Sequence, residues 1–190
     1  MIGADLWNEP SGPLVTWGGN VTTAWNLAAQ RIGNAILYES PEWLIFVEGT
    51  GWGWNLSSVV QYPVVLSIPQ QLVYSPHVYV NDACAENYVY DSESYLRYNT
   101  KMFGFIAEDN IAPVYIGEFG SSCITSPGGN AFIRDIMSYM QLLGISWTFY
   151  SFVDNMDATS TFMGLLKSDY HTMDYYLLSQ INQSLAASLI

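Results

Sequence analysis

Two glutamates in this sequence stand in settings that suit acid–base and nucleophilic chemistry. Glu9 follows Asn8 at the end of one short apolar segment, and Glu118 follows another. Two carboxyl groups that face each other across a cleft can hydrolyse a glycosidic bond, because one protonates the leaving oxygen while the other attacks the anomeric carbon. Their roles require different pKa values, which an amide, an apolar wall or the second carboxylate can provide. Glu9 and Glu118 are therefore candidate catalytic residues.

Other polar and aromatic residues stand at the end or near the start of neighbouring apolar segments. Glu48 ends one segment, His77 and Tyr79 end the next, and Trp147 lies near the start of the last one. Tyr79 is suited to hydrogen-bond the nucleophile, and His77 to orient the acid or a sugar hydroxyl. Taken alone, His77 is more typical of a core histidine with a satisfied ring, and a lone glutamate of a solvated loop residue. The functional prediction therefore depends on the whole set.

A glycine-rich loop carries two further aromatic candidates, Trp52 and Trp54. Loops of this kind expose flat aromatic faces beside a cleft, where they can stack on sugar rings. Packing onto the top of the fold explains the same residues equally well. Both interpretations stay open at this point.

The elements that must position these residues form a regular alternation. Helical segments separate five apolar segments, predicted as strands over residues 2–7, 43–48, 72–79, 113–117 and 145–151. This alternation predicts an α/β protein with parallel strands. In such folds, functional residues gather at the C-terminal ends of the strands, where the candidates Glu9, Glu48 and Glu118 stand.

The helices are predicted from apolar residues at i, i+4 spacing. Asn20 is expected to cap the first helix, which would bury Ala24, Ala28, Ile32 and Ile36 and end before Pro41. Ser92 is expected to cap a second helix, running through Leu96, Met102 and Ile106. A third is expected from Asn130 to a stop at Gly144, and a last one carries Leu178, Ile181, Leu185 and Leu189.

Five βα units fall short of the eight that close a (β/α)8 barrel. The simplest interpretation is a truncated chain whose missing N-terminal part supplies three further strands. An open five-stranded sheet is the structural alternative.

Five sequence blocks, taken together, resemble glycoside hydrolase family 5, the cellulase family. They are Asp-Leu-Trp-Asn-Glu-Pro around Glu9, Leu-Ile-Phe-Val-Glu-Gly around Glu48, Leu-Val-Tyr-Ser-Pro-His-Val-Tyr up to Tyr79, Ile-Ala-Pro-Val-Tyr-Ile-Gly-Glu-Phe-Gly around Glu118, and Trp-Thr-Phe-Tyr-Ser from Trp147. The likeness runs in order and at matching spacing over nearly the whole chain. It departs where Ser11 replaces a histidine common after Asn-Glu-Pro, and the early-strand arginine and histidine of the family have no counterpart.

The resemblance implies a partial TIM (β/α)8 barrel, with residues 1–190 as about the last five βα units of a catalytic domain. It makes Glu9 the acid/base after the fourth barrel strand and Glu118 the nucleophile after the seventh. Asn8, His77, Tyr79 and Trp147 would surround the bound sugar. Retention of configuration follows, with the carboxyl groups about 5 to 5.5 Å apart. Glu48 matches a position outside the catalytic pair and is a third candidate carboxylate.

The implied activity is hydrolysis of β-1,4-glucosidic bonds in cellulose or a related β-glucan. A β-mannanase of the same mechanism is an alternative, since fold and carboxylates do not determine the sugar. A second alternative is a truncated, inactive remnant that still binds glycans, and a third is an unstable or associating fragment, because unpaired strand edges invite pairing. The resemblance also implies an extracellular enzyme, and we expect a monomer when the protein is complete.

Composition limits the partners and ligands. Seventeen acidic residues against five basic ones give a formal net charge of -12, which repels phosphate backbones and anionic membrane surfaces. We therefore expect neither nucleic acid nor a membrane as partner, and the first residues lack the pattern of an export signal. Cys84 and Cys123 allow one disulfide, with two free thiols as the equal alternative. No cofactor and no metal is assigned.

Overall fold

The computed structural model describes residues 1–80, 89–121, 126–153, 164–167 and 169–186 of the chain. It divides into two compact units. The first consists of Met1–His77 and Asn99–Gly117, and the second of Val78–Tyr98 and Glu118–Ile190. Within the described ranges, no helix has both the length and the apolar character needed to cross a membrane.

Strands and helices alternate along the chain. The strands are β1 (Gly3–Asp5), β2 (Leu44–Val47), β3 (Leu72–Tyr74), β4 (His77–Val80), β5 (Tyr115–Ser121) and β6 (Ser146–Phe149). The helices are α1 (Trp25–Glu39), α2 (Ser92–Asn99), α3 (Phe105–Glu108), α4 (Pro127–Leu143) and α5 (Tyr175–Ala186), with a π-helical turn at Thr100–Gly104 and a 3-10 turn at Pro69–Gln71. The strand orders are β1-β2-β3 and β4-β5-β6. The predicted α/β class is confirmed.

The first unit is built on parallel strands that lie side by side in chain order. β1 pairs with β2 and β2 with β3, so that Ile45 stands opposite Leu72 in the second pair. Beside β3, the Tyr74 N–H donates to the Pro113 carbonyl oxygen at 3.0 Å. Because parallel neighbours require a crossover, α1 connects β1 to β2. The C-terminal ends of these strands therefore meet at one edge.

The segment predicted as one strand over residues 72–79 is two strands. β3 ends at Tyr74 and β4 begins at His77, with Ser75 and Pro76 between them. Pro76 has no N–H and cannot donate to a strand ladder, which interrupts the pairing. Its carbonyl oxygen still accepts a hydrogen bond from the Gly117 N–H at 3.1 Å. The interruption separates His77 from the strand that precedes it.

Helix α1 has the predicted periodicity but buries a neighbouring face. Ala24 is buried at the N-cap position, but within the helix the buried stripe is Trp25, Ala29, Gly33 and Leu37, whereas Ile32 is exposed. At Gly33 an added Cβ would lie 2.9 Å from Leu66 and 3.0 Å from Ile45, so the helix approaches its neighbours closely there.

The start of α1 also differs from the prediction. Asn20 does not cap the helix, because its side-chain oxygen accepts from the backbone N–H and hydroxyl of Thr22 in a preceding turn. An Asx turn of this kind competes with helix capping for the same side chain. The helix therefore begins five residues later, at Trp25.

In the second unit, α4 begins earlier than its apolar pattern indicates. Ser126 caps it by accepting a hydrogen bond from the Gly129 N–H at 3.0 Å, and Pro127 takes the first helical position. Both are favoured helix-start residues. The helix ends as predicted at Gly144, which adopts a left-handed conformation with φ 66°. α4 packs on α5, where Leu177 and Ile181 are buried.

Candidate active site

The first unit gathers two glutamates around one histidine at the C-terminal ends of its strands. His77 Nδ1 lies 3.1 Å from Glu9 Oε1, and His77 Nε2 lies 3.4 Å from Glu48 Oε1. The Glu9 backbone N–H donates to Glu48 Oε2 at 2.7 Å. The predicted functional residues Glu9, Glu48 and His77 are therefore in direct contact.

Exposure differs sharply within this group. The side chains of Glu48 and His77 are 1% and 3% exposed, whereas that of Glu9 is 23% exposed. Of these three residues, Glu9 has the carboxyl group that a ligand can reach. Glu48 and His77 are buried and contact Glu9 from the protein interior. Asn8, predicted to contact the sugar, is exposed next to Glu9.

The glycine-rich loop that follows β2 lies against this group. It is closed by backbone hydrogen bonds from Gly49 N–H to the Gly53 oxygen at 2.9 Å and between Thr50 and Asn55. Gly53 has φ 80°, and a Cβ there would lie 2.7 Å from Glu48 Oε2 and 3.1 Å from His77. Only glycine meets both demands without strain.

Replacing Gly53 by alanine is expected to lower the free energy of unfolding by about 3 kcal/mol, because left-handed strain adds to overpacking against Glu48 and His77. Gly51 provides the matched control. Its φ is 63° and an added Cβ there meets nothing within 4 Å, so Gly51→Ala should cost only about 1 kcal/mol. Urea denaturation of both variants measures the difference. Equal losses would mean that the loop does not press on the carboxylate group.

The two tryptophans of this loop differ in their surroundings. Trp52 is 67% exposed. Trp54 is half-buried, and its indole N–H donates to Asn99 Oδ1 at 3.2 Å. Packing thus accounts for Trp54, while the ring of Trp52 is accessible to a ligand.

The second unit holds the other candidate carboxylate. The Tyr79 hydroxyl donates to Glu118 Oε2 at 2.5 Å, the contact expected of a residue that serves the nucleophile. Tyr79 is itself held in place, because the Tyr95 hydroxyl donates to its carbonyl oxygen at 2.9 Å. A hydroxyl donor to a carboxylate oxygen is a strong, charge-assisted hydrogen bond.

Trp147 packs against Phe119 inside the second unit. The two rings meet edge to face with centroids 5.3 Å apart, and Phe119 is fully buried. Trp147 lies within β6 rather than at its C-terminal end. Core packing therefore accounts for its contact with Phe119. Its predicted contact with the sugar stays a prediction.

Tyr150, which the sequence did not single out, follows the C-terminal end of β6. It is 37% exposed, and its ring meets that of Tyr79 edge to face at 6.5 Å. Its N–H donates to the Phe119 oxygen at 3.0 Å, and a Cβ on Gly120 would lie 2.5 Å from the Tyr150 oxygen. Its position directly after a strand was the available signal.

Cys84 and Cys123, for which the sequence leaves a disulfide and two free thiols equally open, lie outside the described residues.

Known proteins similar to this chain are endoglucanases by name. Over 90% of its length the chain is 39% identical to an endoglucanase of Paenibacillus polymyxa and 33% identical to the major extracellular endoglucanase of Xanthomonas campestris pv. campestris. It covers 46% and 37% of those two proteins. The chain thus spans less than half the length of these curated relatives.

Solved structures support the same relationship. The hyperthermophilic endocellulase of the archaeon Pyrococcus horikoshii matches 97% of this chain with a TM-score of 0.83 and 32% identity, over 57% of its own chain. The catalytic domain of the major endoglucanase of Xanthomonas campestris pv. campestris matches 97% with a TM-score of 0.80 and 28% identity. The predicted partial (β/α)8 barrel is confirmed by these neighbours.

The family model described as Cellulase (glycosyl hydrolase family 5) matches residues 1–156. Since this match covers most of the chain and the relatives agree with it, the chain belongs to the cellulase family, glycosyl hydrolase family 5.

Proposed function

We propose that this chain is the C-terminal portion of the catalytic domain of a retaining endo-β-1,4-glucanase and carries both catalytic carboxyl groups. Glu118 is the nucleophile and Glu9 is the acid/base. The observation that carries the assignment of roles is the different surroundings of the two glutamates. Glu118 accepts a hydroxyl hydrogen bond from Tyr79, whereas Glu9 contacts a buried histidine.

The surroundings of Glu118 suit a nucleophile. A nucleophilic carboxylate must be ionised and must keep one oxygen aimed at the anomeric carbon. Donation from the Tyr79 hydroxyl at 2.5 Å to Oε2 stabilises the negative charge and fixes the rotation of the carboxylate. Glu118 is therefore suited to attack the anomeric carbon.

The surroundings of Glu9 suit a group that gives and takes a proton. His77 contacts Oε1, which leaves Oε2 of the partly exposed side chain for the glycosidic oxygen. An acid/base must protonate the leaving oxygen in the first step and accept a proton from water in the second. In the first step Glu118 bonds to the anomeric carbon as the glycosidic bond breaks; in the second, water hydrolyses the glycosyl-enzyme.

The substrate class follows from the relatives and from the exposed aromatic residues. The Pyrococcus horikoshii endocellulase binds cellotetraose in crystals of variants in which a glutamate is replaced by alanine. In this chain the exposed Trp52 belongs to the loop that lies against Glu48 and His77, and the exposed Tyr150 contacts the ring of Tyr79. Aromatic faces of this kind stack on sugar rings. We therefore assign β-1,4-linked glucan as the substrate and, since such polymers lie outside cells, an extracellular location.

A second candidate function is glycan binding without turnover. It is favoured by the fraction of a related enzyme that this chain matches. The chain matches only 57% of the Pyrococcus horikoshii endocellulase. If the remaining part of the barrel is needed for the cleft, the 190-residue chain binds glucan weakly and does not cleave it.

The two candidates are separated by assaying the 190-residue chain beside an extended protein that also carries the sequence encoded upstream of Met1. Each is incubated with soluble β-1,4-glucan and with β-1,4-mannan, and the first products are followed by proton NMR. We expect the extended protein to cleave glucan internally and release β-configured ends. Release of α-configured ends, or cleavage of mannan alone, would contradict the proposal. Turnover by the short chain would exclude the binding-only function.

A further inference from the structure

Glu48 is a buried carboxylate that touches the acid/base candidate in two ways, although neither the family comparison nor the proposed reaction gives it a task. We infer that Glu48 is a positioning residue: one oxygen holds the backbone of Glu9, and the other holds His77, which in turn holds the carboxyl of Glu9. The catalytic consequence of this inference rests on the proposed function, but the hydrogen-bond arrangement does not.

The direct contact acts on a strained point of the backbone. Glu9 has φ 51°, in the left-handed region that side-chain-bearing residues rarely adopt. Its N–H donates to Glu48 Oε2 at 2.7 Å. Holding this conformation decides the direction in which the Glu9 side chain leaves the strand end, so the contact aims the carboxyl group.

The indirect contact runs through the imidazole ring. His77 Nε2 lies 3.4 Å from Glu48 Oε1, and His77 Nδ1 lies 3.1 Å from Glu9 Oε1. With both nitrogens engaged, the ring has one orientation that satisfies both neighbours. His77 therefore transmits the position of Glu48 to the reactive carboxyl of Glu9.

Glu48 is itself anchored. Its carbonyl oxygen accepts from the Trp25 indole N–H at 2.9 Å, and the missing Cβ of Gly53 leaves room for its Oε2. A carboxylate that is 1% exposed is costly to bury unless donors satisfy it. The Glu9 N–H is one such donor, and a proton on His77 Nε2, which lies 3.4 Å from Oε1, makes the ring the second donor in this inference.

The requirement for a carboxylate is specific. Two donors converge on Glu48, and a carboxylate offers an acceptor oxygen to each of them. Glutamine has almost the same shape but only one acceptor oxygen, and its NH2 group would face either the Glu9 N–H or the Nε2–H of His77. Glu48→Gln therefore disrupts one of the two contacts while it preserves the packing.

The hydrogen-bond arrangement is tested by NMR on the 190-residue chain with 15N-labelled histidine. The chain has two histidines, His77 and His171, so a His171→Asn variant assigns the signals. We expect Nε2 of His77 to carry a proton in the unmodified chain. An Nε2 without a proton would overturn the inference, and this readout needs no substitution at Glu48.

The variant comparison uses backbone and ring resonances together. In Glu48→Gln, we expect the His77 Nε2 resonance or the Glu9 amide resonance to shift, because the glutamine cannot accept from both. Glu42→Gln removes the same charge at an exposed position before β2 and should move neither. If Glu48→Gln leaves both resonances unchanged, Glu48 does not hold Glu9.

The catalytic consequence is tested in the extended protein with two substrates. Glu48→Gln should lower kcat/KM for soluble β-1,4-glucan by about 10²-fold, the effect of misplacing a catalytic group by about 1 Å. The loss should be less than about tenfold for dinitrophenyl β-cellobioside, whose leaving group needs no protonation. Equal losses on both substrates would indicate general damage and overturn the positioning role. If the proposed function fails, neither substrate is cleaved, while the NMR result still decides the contacts of Glu48.

Discussion

Glu118→Gln in the extended protein is expected to reduce kcat for β-1,4-glucan by a factor on the order of 10⁴ or more, because it removes the group that forms the covalent intermediate. In the unmodified chain the Tyr79 hydroxyl lies 2.5 Å from Glu118 Oε2. Glutamine keeps the shape of the side chain and can still accept a hydrogen bond from this hydroxyl. The loss therefore reports on nucleophilicity rather than on folding. Initial rates and thermal unfolding, measured on the same preparations, separate the two.

The control for this prediction is Glu93→Gln. Glu93 is an exposed glutamate of the second unit whose contact is a surface ion pair with Arg97 at 3.2 Å, and such pairs contribute little to stability. Its replacement should leave kcat within about twofold of the unmodified protein. Activity that survives Glu118→Gln at a comparable level would exclude Glu118 as the nucleophile.

Glu9→Gln is expected to have an effect that depends on the leaving group. With β-1,4-glucan the loss should be about 10² to 10⁴-fold, because the leaving sugar oxygen must be protonated. With dinitrophenyl β-cellobioside the glycosyl-enzyme should still form, because that leaving group departs without a proton, and its hydrolysis then becomes the slow step. Stopped-flow release of dinitrophenol should show a burst followed by slow turnover.

Added azide provides the internal check for Glu9. Azide needs no general base, so it should restore turnover of the Glu9→Gln variant and give β-glycosyl azide, while Glu118→Gln should not respond in this way. If Glu9→Gln loses the same fraction of its activity on both substrates and azide does not restore turnover, Glu9 is not the acid/base. A crystal structure of the extended protein would then show whether the two carboxyl groups have the separation of about 5 to 5.5 Å that the mechanism requires.

Helix α1 shows what a local sequence pattern predicts and what it leaves to tertiary packing. The i, i+4 spacing of α1 is visible in the sequence, but two overlapping stripes have it. Ile32 and Ile36 belong to the more apolar one, yet the stripe with Gly33 is buried because only a residue without a side chain allows the approach of Leu66 and Ile45. Periodicity thus predicts a helix, while packing decides its rotation.

Start signals are equally ambiguous. Asn20 and Ser126 are both good capping residues, but the side chain of Asn20 bonds to Thr22 in a turn, whereas that of Ser126 accepts from Gly129 in α4. Pro127 at the first helical position is the local signal that distinguishes them. Pro76 was likewise a local signal for a break between two strands, because proline interrupts a strand ladder.

The sequence by itself determined the alternation of strands and helices, the family, and the glutamates that stand at strand ends, because these depend on residue type and on spacing along the chain. Tertiary structure alone decided that Glu48 contacts both Glu9 and His77 and that Tyr150 lies against Tyr79. Residues 39 positions apart, such as Glu9 and Glu48, meet only because parallel strands bring their C-terminal ends together. Hydrogen-bond partners depend on distances of a few tenths of an ångström, which packing sets and residue order does not.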